Sequence, residues 1–285
     1  MRAVSDAGPS PGPDRSLHAT LAGWTVAMEL GTSASAAATR RLLARFPARE
    51  RAIPSATLVL SAPSEPRCAP AQRALPEARR SPDGGLHLEG EDYTVQLSAD
   101  GARALVTGAG MFPVETALKV MLGAELARRG GLLIHGVGVA HAGRAALFVG
   151  HSGAGKSTLG TLWRDAGGLV LADELVAIWP DAESRTWRAA GTPWNLLGTQ
   201  SEAALAAVGT LAWDAPSRWE SQGAGEVARV LLLNALLPES SPAGRSAMIA
   251  SASRLLSEVA TGRLHFTRDS AAVTVLRARL EATLG

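Results

Sequence analysis

Gly150-His151-Ser152-Gly153-Ala154-Gly155-Lys156-Ser157-Thr158 satisfies every fixed position of the pattern G-x-x-x-x-G-K-[ST]. A short apolar run, Arg144 to Val149, precedes it and reads as a buried strand. After it, Leu159, Leu162 and Trp163 recur at helical spacing until Gly167-Gly168 closes the element. Between a strand and a helix, this pattern curls successive backbone N–H groups around phosphate oxygens, with the positive end of the helix dipole behind them. Gly150, Ser152, Gly153, Ala154, Gly155, Lys156, Ser157 and Thr158 are therefore the expected nucleotide contacts. Lys156 should reach the β- and γ-phosphates of ATP, and the Ser157 hydroxyl should help hold Mg²⁺. The chain draws its basic residues almost wholly from arginine. Its only lysines are Lys119 and Lys156, so a lysine in this loop is not compositional background.

Composition sets the outer bounds. With 285 residues and 46% apolar content, the chain can bury one large core or two modest ones, and its 19% charged content argues against wholesale disorder. A net charge of +2, with no basic stripe interleaved with aromatics, gives no expectation of nucleic-acid binding. The single cysteine, Cys68, excludes an internal disulfide and fits a reducing compartment. Residues 1–16 read as a loose tail lacking the basic start and apolar segment of a signal peptide, and no apolar run has the length of a membrane span. The expectation is a cytoplasmic protein with no membrane partner.

Along the chain, 17–112 reads as an N-terminal α+β region. Leu17 to Leu30 suggests a strand pair or one long strand, Ser35 to Phe46 a helix, and Ala56 to Leu60 a strand. Residues 61–85 carry Pro63, Pro66, Pro70, Pro76 and Pro82 and read as a long loop. Three short runs, Leu86 to Leu88, Tyr93 to Leu97 and Ala104 to Val106, predict an antiparallel meander. Pro113 to Arg129 predicts a helix that opens the second region, 113–285. Leu132 to His135 and Val137 to Ala140 follow as strands, and Ala271 to Leu284 closes the chain as an amphipathic helix. The fold class expected is α/β.

Asp173 lies seventeen positions after Lys156, in Gly168-Leu169-Val170-Leu171-Ala172-Asp173-Glu174. That run reads as an apolar strand ending in two acids, where a metal-binding or catalytic carboxylate would emerge beside the phosphates. On the other side, His135 closes the strand Leu132-Leu133-Ile134 and precedes Gly136.

Ile134-His135-Gly136, the loop from Gly150 to Thr158, and Leu171-Ala172-Asp173-Glu174 together resemble the catalytic core of HPr kinase/phosphorylase and its superfamily, which is related to the phosphoenolpyruvate carboxykinases. The resemblance covers about Gly131 to Ile178, and more loosely the region beyond, including Gly191-Thr192-Pro193-Trp194. It implies an HPr-kinase-like P-loop core packed with a smaller N-terminal α+β region. It also implies that Asp173 takes the proton of an acceptor hydroxyl, that Glu174 stands as a second acid near the metal, and that His135 lies beside the metal or the γ-phosphate. The implied activity is ATP-dependent transfer of a phosphoryl group to a serine of a peptide or protein, with Lys156, Asp173 and His135 catalytic. Alternatives are a small-molecule kinase acting on an amino acid or similar hydroxyl, and a nucleotide-binding switch without transfer chemistry. Related kinases commonly assemble, so a homo-oligomer is a further implication.

The chain departs from the family pattern in two places. The second acid is Glu174 where an aspartate is usual, and the arginine- and glycine-rich signature that shapes the HPr site is missing, so HPr is not the implied acceptor. For a phosphate-clamping arginine the candidates are Arg218 and Arg245. His151 occupies a free loop position that ordinarily faces solvent. Trp179, Trp187 and Trp194 could stack on a base, but core packing is the ordinary role of tryptophan in a chain with few other aromatics.

Overall fold

The computed structural model describes residues 16–30, 33–61, 78–108, 110–194, 197–239 and 241–282. The expected tail before Ser16, and Cys68 with most of the proline-rich stretch, lie outside the described residues. The chain divides into two compact units, Met1–Ala19 with Thr25–Lys119, and Thr20–Trp24 with Val120–Gly285. It is an α/β protein with two sheets and, among the described residues, six helices.

The first sheet has seven strands: β1 (Ser16–Leu21), β2 (Trp24–Leu30), β3 (Ala56–Ser61), β4 (Arg79–Arg80), β5 (Leu86–Glu89), β6 (Thr94–Leu97) and β7 (Arg103–Thr107). Their order is β1-β2-β3-β7-β6-β5-β4, and helix α1 (Ser33–Leu43) connects β2 to its parallel neighbour β3. The alternation read in 86–107 is realised as the antiparallel run β5-β6-β7, with Leu86, Leu88, Val95, Leu97, Ala104 and Val106 all buried. One expectation is corrected: Arg79 and Arg80, assigned to the loop 61–85, pair with His87 and Leu86 as the edge strand β4. Two exposed arginines carry no apolar alternation, so only the pairing partner reveals them as a strand.

Helix α2 (Phe112–Arg128) follows, with Pro113 in its first turn and Val114, Leu118, Met121, Leu122 and Leu126 buried. The second sheet then assembles from β8 (Leu132–His141), β9 (Arg144–Val149), β10 (Leu169–Asp181), β11 (Thr186–Ala190), β12 (Glu202–Trp213), β13 (Arg218–Ser221), β14 (Ala235–Leu236) and β15 (Ala260–Phe266). The order is β11-β10-β8-β9-β12-β15-β13, with β14 also paired to β8 and β11 also paired antiparallel to β12. Strands β9, β12 and β15 run parallel, so their C-terminal ends gather on one edge.

Helices cover both faces of this sheet. On one, α3 (Lys156–Asp165) and α6 (Ala271–Ala282) bury Leu159, Trp163, Val273 and Leu276 against Val137, Phe148 and Val170. On the other, α4 (Ala224–Leu233) and α5 (Pro242–Glu258) bury Val227, Leu231, Leu255 and Leu256 against Ile134, Leu147, Leu171 and Val176. Trp163 is fully buried and its Nε1 donates to the Ala140 carbonyl at 3.2 Å, which pins α3 to β8. Removing such a side chain costs about 3–5 kcal/mol.

Two further expectations are corrected here. Leu132–His135 and Val137–Ala140 form one strand, because Gly136 marks a close approach and not a break. A Cβ there would stand 2.6 Å from the Phe148 carbonyl oxygen. The acidic strand does not end at Asp173-Glu174. It pairs with β8 from Leu169 opposite Ala140 to Ile178 opposite Leu132, so the ladder carries the backbone through both acids and leaves them in mid-strand.

Candidate active site

The glycine-rich loop leaves β9 at Gly150 and enters α3 at Lys156. Its N-cap, Gly155, has φ +104° and offers no side chain to the first turn of the helix. The first helical bond is that of Leu159 N–H to the Gly155 carbonyl at 2.9 Å, so the N–H groups just before it have no partner within the helix. Lys156 is half-buried and folds back over the loop, its Nζ donating to the carbonyls of Gly150 at 2.7 Å and His151 at 3.1 Å. At its far end α3 stops at Gly167-Gly168, whose N–H groups bond to the Arg164 and Trp163 carbonyls at 2.8 Å each.

Asp173 reaches this loop through a local irregularity in β10. Pairing with β8 shifts register between Val170 and Ala172. Val170 packs on the α3 face, while Leu171 and Ala172 both pack on the α4/α5 face. The bulge changes the parity of the strand, and Asp173 emerges on the α3 face, with Gly160 of α3 close to its Cβ. There the Ser157 Oγ donates to Asp173 Oδ1 at 3.2 Å. Strand alternation sends the neighbouring Glu174 to the opposite face, away from Ser157.

His135 completes the group. It is exposed, lies opposite Leu175 on β8, and shares the face of Asp173. Beyond Val149 the strand β9 has turned into the loop, and Asn234 takes its place beside β8, its carbonyl accepting from the His135 N–H at 2.7 Å. The Asn234 side chain also raises the pKa of the imidazole. Asn234 Nδ2 itself donates to the Val230 carbonyl at 2.8 Å, which holds the side chain at the end of α4. Sequence reading missed Asn234, since an asparagine at the end of a helix carries no signal of what it faces.

The electrostatics form one coupled set. Burial pushes the Asp173 carboxyl above its ordinary range, against the hydrogen bond from Ser157 and the charges of Lys156 and His135. Burial likewise holds the Lys156 ammonium below its usual value, with Asp173 opposing. The His135 imidazole is held low by desolvation and by the nearby Lys156 charge, while Asn234 and Asp173 pull it up. Lys156, Ser157, Asp173 and His135 thus act on one another, although they come from three elements.

The remaining candidates sit elsewhere. Arg218 is tied to Asp214 Oδ2 at 2.8 Å, and Arg245 belongs to α5 on the other face of the sheet. Trp179, Trp187 and Trp194 are buried; Trp187 Nε1 donates to Glu258 and Trp179 lies under the Arg129 guanidinium. His151 is exposed, with Nδ1 against the Ser152 carbonyl.

Among the described residues no cluster of three or more His, Cys, Asp or Glu could hold a metal ion. The donors that do meet, the Ser157 hydroxyl and the Asp173 carboxylate, are hard oxygens. Hard oxygens are the ligands Mg²⁺ prefers, so the Ser157 hydroxyl is a fitting donor for it, with the Asp173 carboxylate alongside. Among the same residues no helix is long and apolar enough to cross a membrane.

No protein-family model matches the sequence, and no curated protein matches it. Among solved structures the chain is similar to the Hpr(Ser) kinase/phosphatase from Coxiella burnetii, at 11% identity and a TM-score of 0.34, over 54% of this chain and 99% of that one. A likeness of that degree carries no weight in assigning an activity.

Proposed function

We propose that the chain is an ATP-dependent kinase of HPr-kinase-like type that transfers the γ-phosphoryl group to a hydroxyl, a serine of a peptide or protein. The observation that carries this reading is the meeting of Ser157 and Asp173 at 3.2 Å beneath a glycine-rich loop that satisfies the phosphate-binding pattern. The spacing of the His135, Lys156 and Asp173 motifs supports it as well.

In this mechanism the backbone N–H groups of the loop and of the first turn of α3 bind the β- and γ-phosphates. Lys156 Nζ exchanges the Gly150 and His151 carbonyls for phosphate oxygens. Mg²⁺, held by Ser157 and nucleotide oxygens, would neutralise charge on the phosphates. The acceptor oxygen attacks Pγ, the bond from Pγ to the β,γ-bridging oxygen breaks, and ADP leaves with that electron pair. The hydroxyl proton passes to Asp173, whose raised affinity for protons suits a base working near neutral pH. His135, neutral because its pKa is held low and tied through its backbone N–H to Asn234, lines the same face and orients the acceptor or the γ-phosphate.

The test is transfer of label from γ-labelled Mg-ATP in a host lysate, separated into macromolecular and small-molecule fractions, with wild type beside Asp173→Asn. Asp173-dependent label in the macromolecular fraction is expected. Label confined to small molecules would move the acceptor to a metabolite. Intact ATP binding without any transfer would overturn the kinase reading.

A further inference from the structure

Six of the seven tryptophans are buried or partly so; Trp213 alone is exposed, at 45%. It ends β12, beside the ends of the parallel strands β9 and β15, on the edge of the sheet from which the glycine-rich loop leaves β9. One side of its ring stacks on Phe266 of β15, with centroids 4.6 Å apart and planes 23° from parallel. Its Nε1 donates to the Gly153 carbonyl at 3.3 Å, and a Cβ on Gly155 would stand 2.7 Å from Phe266 and 3.0 Å from Trp213. The indole is therefore fastened to the glycine-rich loop itself, on the side of Gly153 to Gly155.

The Arg268 guanidinium lies 5.6 Å from the Trp213 ring centroid, and it has no ion-pair partner among the described residues. Tryptophan is highly buried on average, and this one leaves part of its ring in water directly beside the glycine-rich loop. Packing needs only the face of the indole that Phe266 covers. The exposed remainder and an unpaired guanidinium form an aromatic and cationic pair of the kind that grips a planar heteroaromatic ring.

We infer that Trp213 is the platform for the base of the bound nucleotide, with Arg268 as its cover. This rests on the loop's binding the phosphates and adds to it the recognition of the base. A π-face carries no hydrogen-bond code, so the platform accepts purines by stacking and does not separate adenine from guanine.

The test compares inorganic tripolyphosphate with ATP by calorimetry, on wild type, Trp213→Leu and Trp213→Phe. Wild type should bind ATP more tightly than tripolyphosphate. Trp213→Leu should weaken ATP by roughly 5- to 100-fold, the range of a lost base–aromatic stack, and leave tripolyphosphate within about threefold. Trp213→Phe, which keeps a ring but loses the bond to Gly153, should retain most of the ATP affinity. Equal losses of both ligands in Trp213→Leu would mean that the indole only braces the loop and would overturn the inference, as would ATP binding no tighter than tripolyphosphate on wild type. Failure of wild type to bind tripolyphosphate at all would overturn the phosphate-loop reading first.

Discussion

Ser157 Oγ donates to Asp173 Oδ1 at 3.2 Å, which joins the first turn of α3 to the middle of β10. The contact places a carboxylate next to the hydroxyl that the loop pattern assigns to the metal, and the proposed mechanism uses that carboxylate as the base. Asp173→Asn preserves the shape and an accepting oxygen for Ser157, but it cannot take a proton. Nucleotide affinity should stay within about threefold while transfer falls on the order of 10²-fold or more. Normal transfer by this variant in a single-turnover assay would exclude Asp173 as the base.

The same carboxyl has a stability signature. Its pKa in the folded protein is raised, mainly by burial, so its contribution to stability is complete below the ordinary carboxylate range and is lost as pH rises through the raised value. At neutral pH the folded chain therefore carries the cost of a desolvated charge. Asp173→Asn should melt at a higher temperature than wild type at pH 7 without nucleotide, and the difference should shrink as pH falls below the carboxylate range. A variant less stable at pH 7 would show that the bonds to Asp173 outweigh its desolvation.

Lys156 and Asn234 act on His135 in opposite senses. The ammonium lowers the imidazole pKa and the Asn234 hydrogen bond raises it. By NMR titration, Lys156→Ala should move the His135 pKa upward and Asn234→Ala downward. Lys156→Ala should also abolish or greatly weaken Mg-ATP binding. Titration of His135 unaffected by either change would separate it from the loop and remove it from the site.

Much of this was legible in the sequence, and the gaps have physical causes. The loop, the helix after it and the meander of β5 to β7 were readable because glycine geometry and hydrophobic period are local properties. Asp173 and His135 could be named, yet their shared face could not be derived, because it depends on the bulge at Val170 to Ala172 that changes strand parity. The continuation of β10 through the acids was hidden because a ladder is fixed by its partner, here β8. Trp213 and Arg268 were invisible for the same reason: 55 positions separate them, and only the parallel pairing of β12 with β15 brings them together.

Gly155 offers the sharpest steric test of how the loop is held. Its φ of +104° lies in a region that L side chains avoid, and an added Cβ would come within 2.7 Å of Phe266 Cζ and 3.0 Å of Trp213 Cζ2. Gly143, in the turn between β8 and β9, also has a positive φ, +77°, but a Cβ added there would meet nothing within 4 Å. Gly143→Ala should therefore cost only backbone strain, about 1–2 kcal/mol. Gly155→Ala should cost that and the overpacking of an aromatic pair, about 1–3 kcal/mol more. Urea unfolding of the two variants measures the difference, and Phe266→Leu, which makes room at the clash, should recover part of it in a double-mutant cycle. Equal costs at the two glycines would mean that the loop can move off Phe266 and Trp213, and that the stack does not set its position.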